Sequence, residues 1–243
     1  MQSLFPTSPT DLGRDDLLAL YAYPHDRFWV RANVVSTLDG AAQGGDHKSG
    51  SLSSPADHEV FAVLRTLADV VLVGANTTRV EGYQPVRADE VDAAARARLG
   101  LAPVPAIAVV TRSLDVDPAL AAGGEAPTLA ITTAAAPADR LRRWAETAPV
   151  LVAGDASVDL STALDQLAAR GYRRVLCEGG PSLLRDLAAS GRLDELCLTL
   201  TPQLAAGDRL RLTSGASLSP PVSLRLRHLL ESEGELFARY TRD

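Results

Sequence analysis

Short apolar runs alternate with amphipathic stretches along this chain. Residues 27–35 place Phe28, Val30, Ala32 and Val34 on one face, a period of two that predicts a strand. Residues 69–73 and 175–177 are apolar runs, and residues 106–111, 128–132, 149–153 and 193–200 also read as strands. Between them lie helical patterns at residues 15–23, 89–99, 137–146 and 160–170. Ser53-Ser54-Pro55-Ala56-Asp57 is a helix start, with a hydroxyl cap, a proline at the first position and an acid in the first turn. That helix runs to about residue 67, with Phe61, Leu64 and Leu67 on its apolar face. Residues 174–185 read as a buried strand, a Gly179–Gly180 turn and a helix opening on Pro181, which Ser182, Leu183, Leu184 and Leu187 carry onward. Residues 203–221 are loop-like, and residues 223–231 and 235–241 form a hairpin around Glu233-Gly234. Strands alternating with helices predict an α/β fold: a mixed, mainly parallel sheet flanked by helices, closed by a C-terminal antiparallel hairpin. No composition break divides it, so residues 25–243 read as one domain preceded by an arm, residues 1–24.

Composition narrows the function. The chain has 243 residues, 46% hydrophobic, enough for a substantial core, and a net charge of −6 argues against a nucleic-acid surface. Lys48 is the single lysine among 24 basic residues, a bias we read as GC-rich coding. Cys177 and Cys197 sit in apolar strand patterns and read as buried free thiols, which implies a cytoplasmic protein. The first 16 residues lack the basic and apolar regions of a secretory signal, and no run approaches a membrane span. His25, His47, His58 and His228 are scattered and no Cys-x-x-Cys occurs, so no metal site is expected. Neither a G-x-S-x-G elbow nor a G-x-G-x-x-G fingerprint is present, which removes support for a serine hydrolase and for an ordinary Rossmann dehydrogenase.

The chemistry gathers at strand ends. Thr37, Thr77, Thr111-Arg112-Ser113 and Gly179–Gly180 each close a predicted strand. In a parallel sheet those ends share one edge and describe a long polar crevice. Singly, each is an ordinary cap or turn. Together they supply what a dinucleotide needs: amides for a pyrophosphate, and an arginine with hydroxyls for a 2′-phosphate, hence NADPH rather than NADH. Asp57 follows a Gly-rich loop and could bind and protonate a flat nitrogen heterocycle; its plainer use is to favour the helix dipole. Arg65, on the same helix, could meet a substrate phosphate or simply pair with Asp69. Glu178 stands where α/β sheets bind ligands.

Residues 30–40 (VRANVVSTLDG), Ser53-Ser54-Pro55, Leu64-Arg65, residues 69–74 with Thr77, and residues 178–183 (EGGPSL) together resemble the reductase domain of the bacterial bifunctional riboflavin-biosynthesis deaminase-reductase, over about residues 28–240. The resemblance implies a dihydrofolate-reductase-like fold, NADPH as cofactor and a homodimer. It implies reduction of the ribosylamino group of 5-amino-6-(5-phosphoribosylamino)uracil to a ribitylamino group. Cofactor positions carry over to Val35, Thr37, Ser51, Thr77, Glu81 and the run from Gly180 to Asp186, with Thr111, Arg112 and Ser113 at the adenosine phosphate. The nicotinamide is expected between Thr37, Ser51 and Gly179. Ser49, Arg65, Arg87 and Glu178 carry over as substrate contacts, Asp39 is expected to join Glu178 in orienting substrate and loop, and the Gly179–Gly180 peptide is expected to be cis. Asp57 and Glu178 are the catalytic candidates.

Three departures stand out. No H-x-E or P-C-x-x-C occurs, so a stand-alone reductase without the zinc deaminase half is expected. Asn76 replaces a commoner small residue. Residues 79–83 (RVEGY) lack the usual Asp-Asp-Pro, where the substrate's ribose phosphate is expected. Two rival readings follow: a dihydrofolate or pterin reductase with Asp57 as the ring-binding acid, and a non-catalytic NADP-binding module. A dimer interface is expected on residues 193–200 and the terminal hairpin.

Overall fold

The computed structural model of the chain describes residues 1–7 and 11–242; residues 8–10 of the expected arm and residue 243 lie outside the described residues. Among the described residues, ten strands form one sheet. They are β1 (Gln2–Phe5), β2 (Trp29–Thr37), β3 (Val70–Gly74), β4 (Ala106–Val110), β5 (Thr128–Thr132), β6 (Val150–Val152), β7 (Arg174–Cys177), β8 (Glu195–Thr201), β9 (Arg225–Ser232) and β10 (Glu235–Thr241). Their order is β1-β9-β10-β8-β2-β7-β3-β4-β5-β6. All pairings from β8 to β6 are parallel; β10 pairs antiparallel with β8 and β9, and β9 with β1. The expected mixed sheet with its antiparallel hairpin is therefore present. Glu233 (φ 52°) and Gly234 (φ 86°) form the two-residue hairpin loop, where both positions need positive φ.

The helices are α1 (Arg14–Leu20), α2 (Pro55–Leu67), α3 (Ala75–Glu81), α4 (Ala93–Arg98), α5 (Pro118–Ala121), α6 (Ala138–Ala145), α7 (Leu160–Ala169) and α8 (Pro181–Ala189). One sheet face, with Val30, Ala32, Val70, Leu72, Val175 and Cys177, packs on Leu164 and Leu167 of α7 and Leu183, Leu184 and Leu187 of α8. The other face receives α1 and α2, where Leu17, Val60, Val63, Leu64 and Leu67 meet Leu176, Leu230 and Phe237. A fully buried Leu contributes roughly 2 kcal/mol, so each helix is held mainly by its apolar stripe. Both cysteines are buried and free, as expected.

The described residues of the arm, 1–7 and 11–24, are tied into the body. β1 forms the sheet edge beside β9, and the carbonyls ending α1 are capped from below: Arg31 donates to Tyr21 O (2.6 Å) and Arg239 to Leu20 O (2.6 Å). Glu195 holds both arginines, at 2.6 Å and 2.8 Å, and accepts from Trp29 Nε1 at 2.9 Å. Burial alone would raise the Glu195 carboxyl, but the two guanidinium groups hold it at about 2. β8 has β10 on one side and β2 on the other, so both its edges are paired within the chain.

Candidate active site

Parallel strands β2, β7, β3 and β4 all end on one edge of the sheet, and a cleft of about 560 Å³ opens there. Its walls are α2, α3 and two loops that pair with one another. Ala42 N–H donates to Leu210 O (2.8 Å), and Ala41 bridges Arg211.

The strand-to-helix turn after β7 forms the middle of the cleft. Gly179 (φ 86°) needs positive φ, and the Gly179–Gly180 peptide is cis. A Cβ on Gly180 would stand 2.5 Å from Thr77 Oγ1, and Gly74 N–H donates to Gly179 O at 2.9 Å. Three glycines thus bring the starts of α3 and α8 within reach of each other, leaving a cradle that a side chain would fill. Pro181, with no N–H, opens α8; Ser182 is exposed and Leu183 turns into the core, so these two offer backbone N–H groups. The cradle, the Thr77 hydroxyl and the helix start suit a pyrophosphate. Arg112, exposed and with no partner among the described residues, stands at the end of β4, where it fits a further phosphate. Thr111 Oγ1 is occupied by Leu114 N–H (2.9 Å), and Ser113 O by Arg140 (3.0 Å).

On the substrate side, α2 begins with Ser54 as its cap, accepting from Asp57 N–H at 3.1 Å; such a cap stabilises by about 1 kcal/mol. This places Asp57, 6% exposed, on the cleft wall. Thr199 Oγ1 donates to its Oδ1 at 2.7 Å, and its second oxygen has no partner among the described residues. Ser54 Oγ also bonds Glu235, whose carboxyl burial raises.

Arg65 and Glu178 find each other rather than Asp69. Arg65 Nε and one terminal nitrogen each donate to Glu178 at 2.8 Å, and the other terminal nitrogen donates to Glu90 at 2.7 Å. Tyr83 O–H donates to Glu178 Oε2 at 2.7 Å, and the guanidinium lies 4.3 Å over the Phe61 ring. Burial would lower Arg65, but Glu178 more than offsets it and holds the charge. Asp69 instead pairs with Arg174 at 3.2 Å. Arg96, buried and with no ion pair among the described residues, donates to Arg65 O, Thr66 O and Ala68 O and so caps the end of α2; burial pulls it down to about 10.

Of the residues expected in the site, Val35, Ser49, Asp57, Arg65, Thr77, Glu81, Arg87, Glu178, Gly179, Gly180 and Pro181 line the cleft. Ser49 N–H donates to Glu81 at 2.9 Å; Arg87 is exposed and paired with neighbouring Asp89. Three expected residues, Thr37, Asp39 and Ser51, are not among those lining the cleft. Thr37, 1% exposed, donates to Asp39 (2.5 Å), and Asp39 accepts from Ala206 N–H (2.7 Å). Together they lock a turn outside the cleft, and these bonds, Thr37's first, lower the Asp39 carboxyl to about 2. Ser51 turns into its own loop, donating to Asp46 at 2.7 Å. Arg65 has its charge met by Glu178 and Glu90 rather than left for a ligand.

Sequence reasoning missed Asn33, His47, His58, Phe61, Tyr83, Glu90, Leu210 and Leu212, all of which line the cleft. Tyr83 fell in the departing RVEGY run, the one signal that could have found it. Asn33 Oδ1 is buried without a hydrogen-bond partner.

Sheet order and a cleft across the parallel strand ends define a dihydrofolate-reductase-like α/β protein. Dihydrofolate reductase from Enterococcus faecalis, solved with NADP(H), superposes with a TM-score of 0.50 at 14% identity, covering 89% of this chain and 98% of that one. The chain belongs to the RibD C-terminal domain family, whose model matches residues 28–236. A pyrimidine reductase-like protein from Corynebacterium diphtheriae is 28% identical with a TM-score of 0.81, over 93% of this chain and 99% of that one. The 2,5-diamino-6-ribosylamino-4(3H)-pyrimidinone 5′-phosphate reductase of Methanothermobacter thermautotrophicus is 30% identical over 88% of this chain and 98% of its own length.

Proposed function

We propose that this chain is an NADPH-dependent reductase of a ribosylamino-pyrimidinone 5′-phosphate in riboflavin biosynthesis. Family membership supports the reaction class, and one observation carries the choice of ring. The free oxygen of Asp57 faces the cleft while Thr199 holds the other. A carboxylate oxygen accepts from an amino group and repels a carbonyl. Asp57 therefore favours the diamino ring named for the relatives over the uracil ring expected from sequence.

Gly179–Gly180 and Thr77 would hold the pyrophosphate of NADPH and Arg112 would meet its 2′-phosphate, and the cofactor would supply a hydride to the imine carbon of the ring-opened sugar. Asp57 holds the heterocycle through its amino edge. Glu178, fixed by Arg65 and Tyr83, receives sugar hydroxyls at its remaining lone pairs. Arg87 sits at the cleft mouth, where its exposed guanidinium can turn from Asp89 to a phosphate. Most of the rate enhancement then comes from positioning. The same reading includes a homodimer, which sedimentation would test.

Absorbance of NADPH should fall at least tenfold faster with the diamino-pyrimidinone phosphate than with its deaminated counterpart. Faster turnover of the deaminated ring would remove the Asp57 argument. Asp57 also favours a second reading. A buried first-turn acid bonded to Thr199 suits a pterin's amino edge equally, and turnover of dihydrofolate alone would establish it. Tight cofactor binding with no turnover of any of the three would leave a non-catalytic module.

A further inference from the structure

A second cavity, of about 440 Å³, lies between α5, α6 and the loop leaving β4, and it shares no lining residue with the cleft. That volume is in the range of small-ligand sites. Leu114, Val116, Pro118, Ala121 and Trp144 give it apolar walls. α6 adds Arg140 and Arg143, and the spacing of Arg140 and Trp144 stacks them on one helix face, a turn apart. The charges here are unevenly met. Arg143 pairs with Asp139 at 3.5 Å. Asp115, which also lines the cavity, meets Arg79 at 3.9 Å. Arg140 meets no carboxylate among the described residues. One of its terminal nitrogens donates to Ser113 O at 3.0 Å, which fixes the guanidinium and leaves its other N–H groups to a ligand. Trp144 is 6% exposed, and its indole N–H is buried without a hydrogen-bond partner. The core packed on it, Leu114, Ala130 and Ala136, offers no side-chain acceptor. A partner for the N–H has therefore to come from the cavity that the ring lines. Native proteins rarely leave such a donor unpaired.

We infer that the cavity between α5 and α6 is a ligand site for a planar aromatic carboxylate. The ring lies between the apolar walls. One carboxylate oxygen accepts from Arg140 and the other from the Trp144 indole N–H. A single negative charge matches the guanidinium that no acid meets, whereas a doubly charged phosphate would need Arg143, which Asp139 already holds. A rigid ring also suits the walls better than a flexible chain, because it has less rotational freedom to lose on binding. The site is independent of the reductase chemistry proposed above, since it uses none of the cleft residues.

The test titrates the full chain calorimetrically with 2-naphthoate and with 2-naphthamide, which keeps the ring and loses the charge. NADPH is present throughout, so that the cleft is occupied. The native chain should bind naphthoate at least tenfold more tightly than the amide. Arg140→Gln removes the charge, and Trp144→Phe keeps an aromatic wall and removes the N–H. Each should weaken naphthoate about tenfold, and a native-like melting temperature reports that the variant is folded. If Arg140→Gln unfolds through loss of its bond to Ser113, Trp144→Phe decides alone. Equal affinity for acid and amide overturns the inference. So does naphthoate binding that is unchanged in Trp144→Phe, and so does failure of naphthoate to bind the native chain at millimolar concentration.

Discussion

Arg65 carries one positive charge between two carboxylates and over an aromatic ring. Removing it leaves Glu178, 2% exposed at its side chain, charged and unpaired. Arg65→Met should therefore cost about 3 kcal/mol of stability, read as a lower midpoint in urea. A loss under about 1 kcal/mol would mean that water replaces the guanidinium freely. Arg112 is the opposite kind of arginine, exposed and unengaged. Arg112→Gln should raise KM for NADPH about tenfold and leave KM for NADH unchanged; equal effects on both would deny it a 2′-phosphate. Some of this was legible. The Ser54–Asp57 cap follows from local spacing, and of the strand-end hydroxyls Thr77 lines the cleft while Thr37 lies outside it. The Arg65–Glu178 bond was not legible, because the partners are 113 positions apart and nothing local pairs them.

At the scale of elements, the turn between β7 and α8 sets how closely two helix starts approach. Gly180→Ala would push a methyl into Thr77, so cofactor affinity should fall at least tenfold while the melting temperature moves by only a few degrees. Unchanged affinity would place the pyrophosphate elsewhere. This turn was fully visible as a strand, two glycines and a proline. α3 was not, because Asn76, Thr77, Thr78 and Val80 are weak helix formers and its position against β3 and β4 decides the matter. β1 escaped for a similar reason. Four residues with a single buried side chain, Ser3, carry no alternation, and pairing with β9 alone defines them as a strand.

Across the whole molecule, stability should depend on pH through His228. It is 2% exposed, its Nε2 has no partner, and it meets the Tyr21 ring edge-on at 4.7 Å. Burial, aided by Arg239, holds its pKa at about 4, against 6.5 when unfolded. The unfolded chain thus binds the proton more readily. The stabilisation is complete above about pH 6.5 and is lost as pH falls toward 4, by up to about 3 kcal/mol. His228→Phe should flatten that part of the curve in chemical denaturation; an unchanged slope would assign it to the carboxylates. The strand order has another consequence, one that belongs to synthesis. β2 borders β7 and β8, and β1 pairs Gln2 with Glu231. A chain emerging from the ribosome therefore holds its first two strands without neighbours until most of the message has been read. The nascent chain must keep an apolar strand covered for seconds, and a chaperone at the exit tunnel is its natural company.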